Sequence, residues 1–162
     1  MKRFYFTIIA LIAVTFSANG QLPGWYRVYE KPDELLGTKE KISLIYISGE
    51  GEDGTCGFSE SGMDFIMVSS RNGFFDYKIV NSEVYYADAI IGLYVNSKLI
   101  EKIETHLIIF SDNTSRGAFI EEDADKIKYH LRNNGSVRIV LPLYKKGNFD
   151  LTIPMIKDIT DM

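Results

Sequence analysis

Cysteine is nearly absent from this chain: 162 residues hold one, Cys56. A single thiol cannot close an internal disulfide, so the fold must be held by its core. Histidine is almost as scarce, with only His106 and His130. Two histidines so far apart do not compose a zinc motif. No basic run exceeds Lys145-Lys146, and the formal charge is −4. That balance argues against a general affinity for nucleic acid or for anionic membranes. Internal repeats, linkers and low-complexity tracts are missing too, which leaves a chain of single-domain length.

What is present begins with a leader. Lys2 and Arg3 precede the apolar run Phe4 to Phe16, and Ser17-Ala18-Asn19-Gly20 closes it with small residues. Residues 1–20 therefore read as a secretory signal peptide, with Ala18 and Gly20 at −3 and −1. The run is short for a membrane span, and no cysteine follows the cut to carry a lipid, so no stable membrane anchor is expected. Removing 20 of 162 residues leaves a single β-rich domain, residues 21–162, and the loss of Lys2 and Arg3 takes its charge to −6. The expected location is periplasmic or secreted.

The segment from Gly117 to Ile156 organises the rest. Ile120, Ala124, Ile127 and Leu131 share one helical face. Asp123 is the expected N-cap, and acids lead while Lys128, His130 and Arg132 trail, as the helix dipole favours. Asn133-Asn134-Gly135 stops the helix, with Gly135 expected in the left-handed conformation. His130 is expected on the solvent face. Val137, Ile139, Leu141 and Leu143, then Phe149, Leu151 and Ile153, alternate as two strands of a hairpin around Lys145-Lys146-Gly147-Asn148. Pro142 should mark an edge or a bulge.

The remainder reads as strand and turn. Trp25 to Tyr29 opens it, and Ile42 to Ser48 is apolar on both faces, as a central strand would be. Met63 to Ser70 and Phe74 to Val80 flank Asn72-Gly73, the signal for a tight hairpin. Val84 to Val95 follows. After Asn96-Ser97, Leu99 to Thr105 and His106 to Phe110 read as one or two strands, although Leu99 to Glu104 alone could pass for a helical turn. Gly49 to Gly62, with five glycines, reads as one long irregular loop, a length that is either functional or mobile. Lys157 to Met162 is expected to fray. The expected fold is mainly β: an antiparallel β-sandwich or strongly bent sheet of about eight or nine strands, with one helix near the C-terminus.

Chemistry-bearing residues are few. Glu50, Glu52, Asp53, Glu60 and Asp64 could offer oxygen ligands, but their spacing is not that of a calcium loop. As a glycosidase pair they lack an evident partner at fixed distance in an apolar pocket. Cys56 and His106 carry no nucleophile–base signature, and Thr55 and Gly57 give the thiol a flexible setting instead of a rigid, electropositive one. Trp25, Tyr26, Tyr29, Tyr85, Tyr86 and Tyr94 are candidate platforms for sugars or partner side chains, although strand geometry turns about half of them inward. The sequons at Asn113 and Asn134 matter only in a eukaryotic secretory host. No catalytic set, metal site or cofactor site emerges.

The order of elements resembles small exported bacterial proteins of the invasion-associated locus B type and the similar type VI secretion-associated exported proteins. The shared features are an early Trp25-Tyr26 strand, a Met63–Val68 strand before an Asn-Gly turn and the long Val84–Val95 segment. A helix, Ala124 to Leu131, then precedes Val137–Leu141 and Phe149–Ile153. The resemblance implies a β-sandwich with one helix and no established catalytic residues. The expected function is an exported, non-enzymatic binding or interaction module for an unknown protein or glycan partner. Its expected contact residues are Glu50, Glu52, Asp53, Glu60, Trp25 and Tyr26. The alternative is a hydrolase acting on a polysaccharide.

Overall fold

A computed structural model describes residues 22–35, 37, 39–49, 54–60, 65–82 and 84–162. The expected leader, residues 1–20, lies outside the described residues, as do Glu50, Glu52, Asp53 and Asp64. Strands β1 (Gly24–Glu30), β2 (Lys41–Ile47), β3 (Gly54–Ser59), β4 (Phe65–Ser70) and β5 (Lys78–Val80) lead to the long pair β6 (Val84–Val95) and β7 (Lys98–Phe110). β8 (Asn113–Ile120), the helix α1 (Glu121–Asn133), β9 (Ser136–Leu143), β10 (Gly147–Ile153) and β11 (Thr160–Asp161) complete the chain. Among the described residues no helix is long and apolar enough to cross a membrane.

The strands form one sheet, not two. Their order is β10-β9-β6-β7-β8-β4-β3-β2-β1-β11, with β5 beside β6. β8 pairs with β7 on one side and β4 on the other, so the hydrogen-bonded ladder is never interrupted. Of the expected β-sandwich or strongly bent sheet, the structure takes the second form, a single sheet of eleven strands curled into a half-barrel. Pairing is antiparallel except between β1 and β11. The sheet curls far enough for β10 to pass over β3, and alternate side chains of both halves fill one core.

The strand count exceeds the expectation partly because of β3. Gly54–Ser59 falls inside the stretch that reads as irregular, yet it pairs with β2 and β4 and buries Cys56 and Phe58. Gly54 is there for space: a Cβ would sit 1.9 Å from the Ser69 carbonyl oxygen and 3.0 Å from the Phe149 ring. Glycine inside a strand often marks such a close approach. β11 is the other addition. Instead of fraying, the C-terminus pairs with β1, packs Ile159 on the core and donates from Met162 N to the Arg27 carbonyl at 2.9 Å.

The Asn72-Gly73 turn does not make a hairpin. β4 pairs with β3 and β8, while Phe74 to Tyr77 leaves the ladder and touches β9 through a single Phe75–Leu143 bridge. Phe75 supplies the reason. Its side chain is fully buried, edge-on to Phe149 at 5.4 Å, and that anchor draws the segment across the sheet. Asn96-Ser97 turns as expected, both residues having positive φ in a two-residue loop, the twist a hairpin needs.

The helix sits where its apolar face requires. Ala124, Ile127 and Leu131 are fully buried against the sheet, with burial of Ile127 and Leu131 contributing about 1.5–3 kcal/mol each. Its ends differ from expectation. Ile120 is the N-cap, without a side-chain bond. Asp123 lies in the first turn, where its carboxylate accepts from the Thr105 hydroxyl. Gly135 does not adopt positive φ; it is needed because a Cβ would meet the Tyr94 carbonyl oxygen at 2.0 Å. The same carbonyl lies 3.0 Å from His130 Nε2, so His130 is buried instead of solvent-facing.

Candidate functional site

Phe74 to Tyr77 is held by its backbone. Phe75 N donates to Thr114 O at 2.9 Å, Asp76 N to Pro142 O at 2.9 Å and Tyr144 N to Phe74 O at 2.8 Å. With Phe75 driven inward, the extended chain turns Phe74 outward. Phe74 is 59 % exposed, Tyr77 38 % and Tyr144 54 %. The three converge on a groove of about 380 Å³, lined also by Asp76 and Thr114. Tyr77 stacks on Tyr85 with centroids 4.9 Å apart, and the Lys145 ammonium lies 5.0 Å from the Tyr144 ring centre. Lys146 Nζ donates to Asn72 O at 3.1 Å, bracing the β9–β10 turn against this segment. Aromatic faces fixed at a surface offer large contact area at small entropic cost.

Arg71 Nη1 donates to Ser48 O at 3.3 Å and to Gly49 O at 3.4 Å. The expected contact residues Glu50, Glu52 and Asp53 lie outside the described residues. Glu60 follows β3, six residues long, and so stands about 20 Å from Gly54 at its start. There it pairs with Arg27 at 3.6 Å.

The aromatic candidates of the first strand divide. Trp25 is core: it is buried against Tyr46 and Phe58, and its Nε1 donates to Pro154 O at 3.0 Å. Tyr26 is half-buried, its hydroxyl donating to Leu22 O at 2.6 Å. Neither faces the groove. Phe74, Tyr77 and Tyr144 are functional candidates that sequence reasoning misses, since they read as ordinary strand and turn residues. The signal available for them is an aromatic-rich segment following Asn72-Gly73 and a tyrosine abutting a Lys-Lys-Gly turn.

A second hollow, of about 630 Å³, lies where β9 parts from β6 at Pro142, and includes Asp88, Glu104, His106 and Asn148. Its carboxylates are locked to cations. The Lys78 ammonium, 2.7 Å away, holds Asp88 below its usual range, and His106 adds to the effect. The Lys102 ammonium does the same to Glu104. A glycosidase general acid requires the reverse shift. Beside this hollow Arg138 and Asp150 form a bidentate pair at 2.9 and 2.5 Å.

Cys56 and His106 are not brought together as a nucleophile and its base. Cys56 faces the core, and burial pushes its thiol up to about 12, whereas His106 is exposed with Nδ1 3.0 Å from Asp88. Among the described residues no group of three or more His, Cys, Asp or Glu is placed to hold a metal ion.

No protein-family model, no curated protein and no solved structure matches the chain.

Proposed function

We propose that the mature chain is an exported, non-enzymatic binding module of the periplasm or cell exterior. It engages a glycan or protein partner through the Phe74, Tyr77 and Tyr144 groove. The observation that carries this reading is the convergence of three exposed aromatic side chains on one braced groove. Asp76 and Thr114 supply hydrogen-bonding groups at its wall, the combination that sugar rings and partner side chains both use. Of the expected contact residues, Glu60, Trp25 and Tyr26 fall outside this groove, and Glu50, Glu52 and Asp53 lie outside the described residues. The hydrolase reading draws no support from the second hollow, whose carboxylates are both cation-bound.

The test is a nuclear magnetic resonance titration of the ¹⁵N-labelled protein with soluble chitin and peptidoglycan fragments. Amides of Phe74 to Tyr77, Thr114 and Tyr144 should shift first. Shifts confined to Asp88, Glu104 and His106 would move the contact surface to the other hollow and overturn the proposal.

A further inference from the structure

The open edge of β7 is the longest unpaired ladder in the described fold, and its side chains are arranged to match a copy of themselves. β7 pairs with β6 along its whole length, but with β8 only at Ile108, Ile109 and Phe110. Among the described residues no strand pairs with the other side from Lys98 to Leu107. The chain leaves that side because β8 ends at Ile120 and turns into α1. The helix then takes the inner face. Asp123 reaches Thr105, and Lys126 reaches Glu101, while Ile103 packs on the core. The outer face carries Lys102, 52 % exposed, and Glu104, 74 % exposed.

An unpaired edge is a template for another strand. Exposed edges are commonly guarded by charge, so the order of the charges matters. Consider two antiparallel β7 strands related by a two-fold axis normal to the sheet. Centred on Glu101, Lys102 or Glu104, the axis sets a charged residue against its own copy. Centred on Ile103, it sets Lys102 opposite Glu104 twice, Glu101 opposite Thr105 twice, and Ile103 opposite itself. Opposite charges directly across a ladder stabilise it, and like charges oppose it. We propose that the protein self-associates through this edge, β7 against β7 of a second copy in the register centred on Ile103. The product is one sheet continuous through both half-barrels. A two-fold pairing of this kind is closed and self-complementary, which removes the edge rather than passing it on.

Sedimentation velocity on the purified protein over a range of concentrations tests this. The wild type should show a concentration-dependent monomer–dimer equilibrium. K102E and E104K should each weaken association by about tenfold or more, since each sets like charges opposite twice. Mixing the two single variants should restore a dimer, because the K102E edge carries two acids at these positions and the E104K edge two bases. The double variant K102E/E104K should self-associate like wild type. Both substitutions are at exposed sites, and thermal unfolding confirms that each variant is folded. A wild-type monomer at every concentration would overturn the proposal. So would single variants that associate as wild type does, or a mixture no better than its components.

Discussion

The indole Nε1 of Trp25 donates to the carbonyl oxygen of Pro154 at 3.0 Å, joining residues 129 positions apart. The first strand is thereby fastened to the segment that follows the last long one. From Pro154 the chain runs on to place Ile156 N on Leu131 O at 2.8 Å and β11 beside β1. Helix, first strand and C-terminus share one closure. W25F removes the donor and leaves the carbonyl unpaired, which should cost about 1–3 kcal/mol. Thermal unfolding should show a melting temperature lower by about 3–10 °C. Deleting residues 156–162 should lower it further, because Ile156, Ile159 and the β1 edge all lose their cover.

Gly54 tests whether the acidic stretch contains a strand. G54A would set a methyl group 1.9 Å from the Ser69 carbonyl oxygen, a backbone atom that cannot swing aside. Separation of β3 from β4 should follow, at a cost of about 3 kcal/mol or more. G73A meets only the Cδ of Lys146 at 3.4 Å and should be nearly neutral. Equal denaturant midpoints for the two variants would place Gly54 in a loop.

Cys56 is enclosed in the core with its thiol pushed up to about 12. The thiolate is the reactive form. Native protein should therefore remain unlabelled by a disulfide exchange reagent at pH 8 and react stoichiometrically once unfolded in guanidinium. Rapid labelling of native protein would contradict the burial of β3.

Asp150 gives a pH dependence of known sign. The Arg138 guanidinium holds its carboxyl below the ordinary value of 3.8. A depressed folded-state value means that the ion pair stabilises fully above the unfolded value, and that this is lost as pH falls through the folded one. D150N should cost about 0.5–1 kcal/mol at pH 7, small because both partners are substantially exposed. The gap between wild type and variant should begin to narrow below pH about 4 and shrink further as pH falls. Denaturant titrations at pH 7 and pH 3 compare them, and a gap that widened at low pH would show that the pair is not the source.

The helix and the last hairpin are legible in the sequence because one physical rule governs each. Ile127 and Leu131 recur at helical spacing over a buried face, and Val137 to Leu143 alternate at strand spacing. β3 is not legible, because Gly54 and Gly57 look like turn residues when only backbone freedom is considered. Their role is the close approach of Ser69 and Leu44, a tertiary fact. The Asn72-Gly73 hairpin fails for a related reason: the burial of Phe75 outweighs local turn preference. The half-barrel escapes because the pairing of β8 with β4 joins strands far apart in the chain, which periodicity does not encode. The groove escapes with it. Phe74 and Tyr144 are neighbours only because β9 and the segment after β4 meet across the sheet.

The binding account stands or falls most directly on retention by insoluble polysaccharides. Wild-type protein and the F74A/Y144A variant should be compared on peptidoglycan, chitin, cellulose and xylan, with unfolding curves confirming that both are folded. The account predicts that wild type is retained by at least one of these and that the double variant loses about tenfold or more of that affinity, about 1.4 kcal/mol. Retention by none of them together with no protein partner protecting Phe74, Tyr77 and Tyr144 from labelling, or retention unchanged in the variant, would contradict it.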